Sequence, residues 1–153
     1  MTSPSSPAPP PFQTASLPAE PTAVAPDGSA VRRLLATSAA SMAQFEFQPG
    51  VITPCVRHRT VEELWYVLSG DGRMWRAGGG REETVVLEAG VAVTIGVGTR
   101  FQIRTTGDDP LRVVGTTIPP WPPDGDAEIV DGRWTPTPGE TQPGGSCLPP
   151  SSR

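Results

Sequence analysis

Between residues 31 and 118 the chain is a succession of short runs rich in Val, Ile, Thr and aromatic residues, each closed by a turn. The runs are 31–36, 42–48, 54–59, 63–68, 73–77, 83–87, 91–95, 100–105 and 111–118. Between them stand Pro49-Gly50, Gly70-Asp71-Gly72, Gly78-Gly79-Gly80, Ala89-Gly90, Gly96-Val97-Gly98 and Gly107-Asp108-Asp109-Pro110. Segments this short, with Gly and Pro at each end, are strands rather than helices. Nine of them at roughly ten-residue spacing predict an all-β sandwich or barrel. One segment competes: Thr60-Val61-Glu62-Glu63 has the form of a helix capping box. The run it would open is only Leu64-Trp65-Tyr66-Val67-Leu68, mostly strand formers ended by Ser69-Gly70, so it too reads as a strand.

Proline marks where this pattern stops. The chain has 20 prolines, of which only Pro49, Pro54 and Pro110 lie between residues 28 and 118. Both ends are rich in Pro, Ala, Ser, Thr and Gly and lack the large apolar side chains that would offset the entropy of ordering. The expected organisation is a disordered tail at 1–28, one barrel at 29–134 and a second disordered tail at 135–153. Twelve basic residues, all arginine, against 16 acidic ones give a net charge of −4, which argues against a nucleic-acid binder. Residues 1–12 have neither the basic start nor the apolar run of a secretory signal, and no stretch is long and apolar enough for a membrane span. Two cysteines, Cys55 in the middle and Cys147 in the tail, make no disulfide framework, and a reduced cytoplasmic setting is expected.

Within 50–105 the spacing becomes more specific. Gly50 is followed by five residues, then Val56-Arg57-His58, four residues, Glu63, six residues and Gly70. Gly90 is followed by five residues, Gly96-Val97-Gly98, two residues, Phe101 and, further on, Thr105. This frame resembles the two motifs of the cupin superfamily, with Val56 at the first histidine position and Phe101 at the histidine of the second motif. The segments Thr116-Thr117-Ile118-Pro119-Pro120-Trp121 and Asp131-Gly132-Arg133-Trp134 resemble the ending of a group of small actinobacterial cupins. The lack of any lysine or asparagine agrees with a GC-rich source. The resemblance implies a single-domain double-stranded β-helix, the jelly-roll barrel, and a homodimer through its exposed sheet is compatible with it.

The resemblance also implies four metal ligands, of which this chain keeps His58 and Glu63. Alternate strand residues share a face, so Val56 joins His58, Trp65 and Val67 join Glu63, and Ile103 joins Phe101 on the inner side. Two donors fall short of the three that a catalytic zinc or a non-haem iron usually takes from protein. Glu46 or Gln44 on the preceding strand could supply a third, but nothing in the spacing requires it. No cofactor is expected. The remaining imidazole and carboxylate suit acid–base work instead, since imidazole titrates near neutral pH and a carboxylate can orient it.

The expected function is metal-independent isomerisation, cyclisation or elimination (lyase chemistry) on a small, partly apolar organic substrate, in the manner of an enzyme of secondary metabolism. His58 and Glu63 would be catalytic, and Val56, Trp65, Trp75, Phe101 and Ile103 would shape the substrate pocket. Two other readings stay open: a non-catalytic small-molecule-binding cupin, and a degenerate metal-dependent dioxygenase or isomerase. A lone histidine is also commonly a packing residue, and a structural His58–Glu63 pair would look the same from sequence. Arg57 and Arg59 should point outward, with Cys55 opposite the pocket. Pro119-Pro120-Trp121-Pro122-Pro123 reads as a stiff strap that lays Trp121 on the barrel.

Overall fold

The computed structural model describes residues 7–138. Of the expected tails at 1–28 and 135–153, residues 1–6 and 139–153, with Cys147, lie outside the described residues.

All nine predicted runs are strands, and two short ones flank them. In chain order they are β1 (Ala23–Val24), β2 (Ala30–Ala36), β3 (Ser41–Phe47), β4 (Cys55–His58), β5 (Glu62–Ser69) and β6 (Gly72–Gly78). β7 (Arg81–Leu87), β8 (Ala92–Ile95), β9 (Arg100–Thr105), β10 (Leu111–Ile118) and β11 (Ala127–Val130) follow. They form two antiparallel sheets, β1-β2-β3-β10-β5-β8 and β11-β4-β9-β6-β7. No helix among the described residues is long and apolar enough to cross a membrane.

The strict alternation in β5 and β10 shows how the sequence builds the interior. Glu63, Trp65 and Val67 are buried while Leu64, Tyr66 and Leu68 are exposed, and Leu111, Val113 and Thr117 are buried across from them. Trp65, Val67, Leu111 and Val113 join Phe47, Val56, Met74, Leu87, Ile95, Phe101 and Ile103 in the core between the sheets. Fully burying each large one contributes about 1.5–3 kcal/mol. Gly115 in the middle of β10 belongs to this packing. A Cβ there would lie 2.5 Å from a ring carbon of Phe45, so the glycine makes room for Phe45 to stack on Trp65.

The folded unit is wider than 29–134. β1 pairs with β2 through a hairpin closed at Asp27-Gly28, where Gly28 takes φ +87°. At the other end Thr137 donates its amide to Ile52 O. Both segments add a few backbone bonds to an existing sheet or loop, which needs little apolar composition of their own.

A second small cluster covers the outer face of the β4–β9–β6 sheet. Cys55, Trp75 and Ala77 pack there against Val130 and Trp134. Buried Gln102 holds this C-terminal segment in place: its amide donates to Thr53 O and Trp134 O, and its oxygen accepts from Trp134 N–H. Cys55 is thus opposite the barrel interior, and burial pushes its thiol pKa up, which suits a packing role.

Candidate functional site

His58 ends β4 and Glu63 is the second residue of β5, joined by the turn Arg59-Thr60-Val61. Asp126 organises that turn from outside: its carboxylate accepts the amide and hydroxyl of Thr60 and the amide of Val61. Desolvation opposes the charge, but these hydrogen bonds and nearby His58 outweigh it, so the Asp126 pKa is lowered. Alternation along β4 turns Val56 and His58 inward and Arg57 outward. Arg57 pairs with Glu128 on β11, as does Arg59. The Arg57 hydrogen bond is the main reason that the Glu128 pKa is lowered.

Inside, His58 Nε2 stands 3.6 Å from Glu63 Oε1, with both side chains buried. That is ion-pair range and too long for a hydrogen bond. The other carboxylate oxygen, Oε2, accepts the Trp65 indole N–H at 2.7 Å, which fixes the carboxylate plane. The imidazole is held between aromatic rings, Phe101 at 5.4 Å and Trp121 edge-on at 5.3 Å. Neither of its ring nitrogens has a hydrogen-bond partner among the described residues. Leaving a buried polar atom unmatched costs about 1–3 kcal/mol, so both nitrogens are open to a partner that the described residues do not supply.

These groups face a cavity of about 550 Å³, within the range of small-molecule sites. Its apolar wall includes Phe45, Val56, Trp65 and Phe101, and its cover comes from the β1–β2 hairpin and the strap carrying Trp121. The strap is tied down where Trp121 N–H donates to Ser41 Oγ. A second depression, of about 520 Å³, lies on the outer face of the β5–β8–β10 sheet and contains none of the expected site residues except the edge of Trp65.

Of the residues expected at the site, His58, Glu63, Val56, Trp65 and Phe101 are brought together. Two are not. Trp75 sits one position from inward-facing Met74 and therefore points to the other side, where Arg100 lies over its ring and its N–H donates to Glu82. Ile103 is on the inner face but buried in the core, away from the cavity lining. Two groups were missed. Phe45 stacks on Trp65 at 5.7 Å. Asp27, buried and facing the cavity, was hidden in a segment read as tail. The available signal was Asp27-Gly28, a hairpin-turn dipeptide between Val24 and Val31.

A two-sheet antiparallel barrel with an inward His and Glu on consecutive strands of opposite sheets defines a fold of the cupin kind. The chain indeed carries a cupin domain: the family model described as "Cupin domain" matches residues 43–117. Among solved structures, a deletion mutant of Bacillus subtilis oxalate decarboxylase is similar at 19% identity and TM-score 0.59, covering 72% of this chain and 30% of that one. A second structure of that decarboxylase, described for its Mn(II) centres, is similar at 22% identity and TM-score 0.54, with coverages of 63% and 27%. The capsular polysaccharide assembling protein CapF of Staphylococcus aureus is similar at 18% identity and TM-score 0.58, with coverages of 68% and 30%. At these identities the likeness is one of fold, and this chain spans less than a third of each relative's length. No curated protein sequence matches the chain.

The fold family implies a transition metal, so the donor set can be tested against one. The four motif positions hold Val56, His58, Glu63 and Phe101, and one Glu63 oxygen already accepts from Trp65. Glu46 is drawn instead to Arg112 at 2.7 Å. Among the described residues no group of three His, Cys, Asp or Glu side chains could hold a metal ion. This donor set does not fit a catalytic metal.

Proposed function

We propose that the cavity binds a small, largely apolar organic molecule and that the His58–Glu63 pair moves a proton on it, without a metal, in an isomerisation, cyclisation or elimination. The observation that carries this reading is the pair of unpartnered ring nitrogens on a buried imidazole facing an apolar cavity. Turned with Nε2–H toward Glu63, the imidazole leaves the Nδ1 lone pair free to take a proton from carbon or oxygen. The imidazolium that forms is stabilised by the carboxylate 3.6 Å away, whose position the Trp65 N–H maintains. The same proton is returned to another atom of the substrate, so the net change is a rearrangement or a loss of a leaving group. Phe101, Val56 and Phe45 exclude water and hold the apolar body in place.

The test uses small-molecule extracts of the source cells, incubated in D₂O with wild-type protein or with His58→Asn and followed by mass spectrometry. The expected result is at least one metabolite that is consumed, or gains deuterium, only with the wild type. Treatment with a chelator should leave this unchanged. An identical profile for the two proteins would overturn the proposal.

A further inference from the structure

Asp27 is a buried acid that neither the family motif nor the proton-transfer pair uses. It closes the β1–β2 hairpin, outside the residues 43–117 that match the cupin model. The turn is held by backbone bonds, Ala25 N–H to Ser29 O and Gly28 N–H to Ala25 O. The carboxyl group adds to it through one oxygen alone: Oδ1 accepts both the amide and the hydroxyl of Ser29, at 3.0 and 2.7 Å. Among the described residues Oδ2 has no hydrogen-bond partner, and no arginine pairs with the group. Yet Asp27 is only 8% exposed and lines the same cavity as His58 and Glu63. Burying a carboxyl with no cation beside it costs stability that the turn does not require, and the second oxygen is left open where Asp27 lines the cavity.

We propose that Asp27 is a ligand-binding residue, its Oδ2 holding the single carbonyl or enol oxygen of a compact hydrocarbon that rests against Phe45, Trp65 and Phe101. This deepens the reading above and rests on it, since the ligand is the molecule on which His58 would act. To hold a carbonyl oxygen the carboxyl must be protonated, and its surroundings favour that form. Burial is the largest influence and raises its pKa; Ser29 opposes this, Glu63 adds to it and His58 subtracts. With the oxygen held by Asp27, a neighbouring C–H is the atom made acidic, which is the proton an imidazole base would take.

A plain turn role is the competing explanation, because the chain contains no asparagine and an Asp-Gly turn would then be the default. The two explanations separate in a binding experiment with a matched pair of probes, 2-tetralone and its oxygen-free counterpart tetralin. His58 is the only histidine in the chain, so its imidazole NMR signals report occupation of the cavity directly. Wild-type protein should bind the ketone about tenfold more tightly than tetralin, the difference expected for one added hydrogen bond to a buried group. Asp27→Ala should bring that ratio close to one without weakening tetralin. Asp27→Asn, which still accepts from Ser29 and offers an N–H, should keep most of the preference.

An unchanged ratio in Asp27→Ala, or no preference in the wild type, would overturn the assignment of Asp27 while leaving the His58 site standing. If neither compound moved the His58 signals of the wild type, the cavity reading itself would fall with it. Should Asp27→Ala fail to fold, the infrared carbonyl band of bound, ¹³C-labelled ketone decides. It must differ between wild type and Asp27→Asn, and coincident bands would refute the contact.

Discussion

Val56 on β4 and Phe101 on β9 are direct partners across an antiparallel ladder. The two positions at which this chain lacks a motif histidine are therefore one contiguous place in the barrel. Neither change is a scattered loss: together they form an apolar wall beside His58, and Phe101 packs both on that imidazole and edge-on to Trp65. A partial reversion at one strand would leave the other apolar side chain in the way.

The first prediction follows from that pairing. Purified wild-type protein should carry well under one equivalent of manganese, iron, nickel or zinc per chain by elemental analysis. The double variant Val56→His, Phe101→His restores four donors around the same point and should retain about one equivalent after dialysis. Each single variant should fall between them. Stoichiometric metal in the wild type would contradict the metal-free reading.

Trp65 carries the second. Trp65→Phe keeps the ring and its stacking on Phe45 but removes the N–H that Glu63 Oε2 accepts. A buried carboxylate oxygen loses its only hydrogen-bond donor among the described residues, a cost of about 1–3 kcal/mol in denaturant unfolding. The freed carboxylate can also rotate, so the His58 imidazole NMR signals should shift although the indole lies on a different strand. Unaltered His58 signals would mean that Trp65 does not orient the pair.

How far this site could be read from sequence depends on how each residue is placed. Inward positions of long, alternating strands were legible: Glu63 and Trp65 follow from parity along β5, and Val56 and His58 from parity along β4. Trp75 failed because parity needs a reference. β6 buries residues on both faces, Met74 in the core and Trp75 under the C-terminal segment, so alternation of polarity disappears there. β1 and β11 were missed for a different reason. Two and four residues long, they gain their stability by completing the edges of existing sheets, and their Pro, Gly and Asp neighbours read as linker. Asp27 went with β1, since a residue that reaches the cavity through a hairpin leaves no periodic trace.

Asp126 should govern acid stability. Its pKa is lowered in the folded state, so folding releases a proton there. The stabilisation is fully present above the ordinary aspartate range, at about pH 4 and higher, and is lost as pH falls through the depressed value. Asp126→Ala also strands the buried Val61 amide, a loss of about 1–3 kcal/mol at neutral pH. In thermal melts the gap between wild type and variant should be wide at pH 7 and narrow, without vanishing, in strong acid, where the protonated carboxyl still accepts from the turn. Because the same carboxylate shapes the turn between His58 and Glu63, the variant should perturb the His58 signals as well.

Asp27 should act in the opposite sense. Burial raises its pKa, so folding takes up a proton, and the contribution is fully present below about pH 4 and lost as pH rises through the elevated value. Asp27→Asn keeps the Ser29 contacts and carries no charge at any pH. It should therefore melt above the wild type at pH 7–8, with the difference shrinking as pH approaches 4. A variant that is less stable at neutral pH would show that the carboxylate form is the one that the fold prefers.

The strap yields the last prediction. Trp121 meets the His58 ring edge-on and is anchored by its own amide on Ser41, whose hydroxyl also hydrogen-bonds Thr117 on β10. The flanking prolines stiffen the segment, so the indole is held over the imidazole without a hydrogen bond between them. Trp121→Ala should uncover His58 while leaving the strap on its Ser41 anchor, since the anchoring amide belongs to the backbone. Diethyl pyrocarbonate modifies accessible imidazoles, and with a single histidine in the chain its rate is read without ambiguity. The variant should react several-fold faster than wild type at equal thermal stability. Equal rates would place the route to His58 elsewhere, along the β1–β2 hairpin that forms the rest of the cavity's cover.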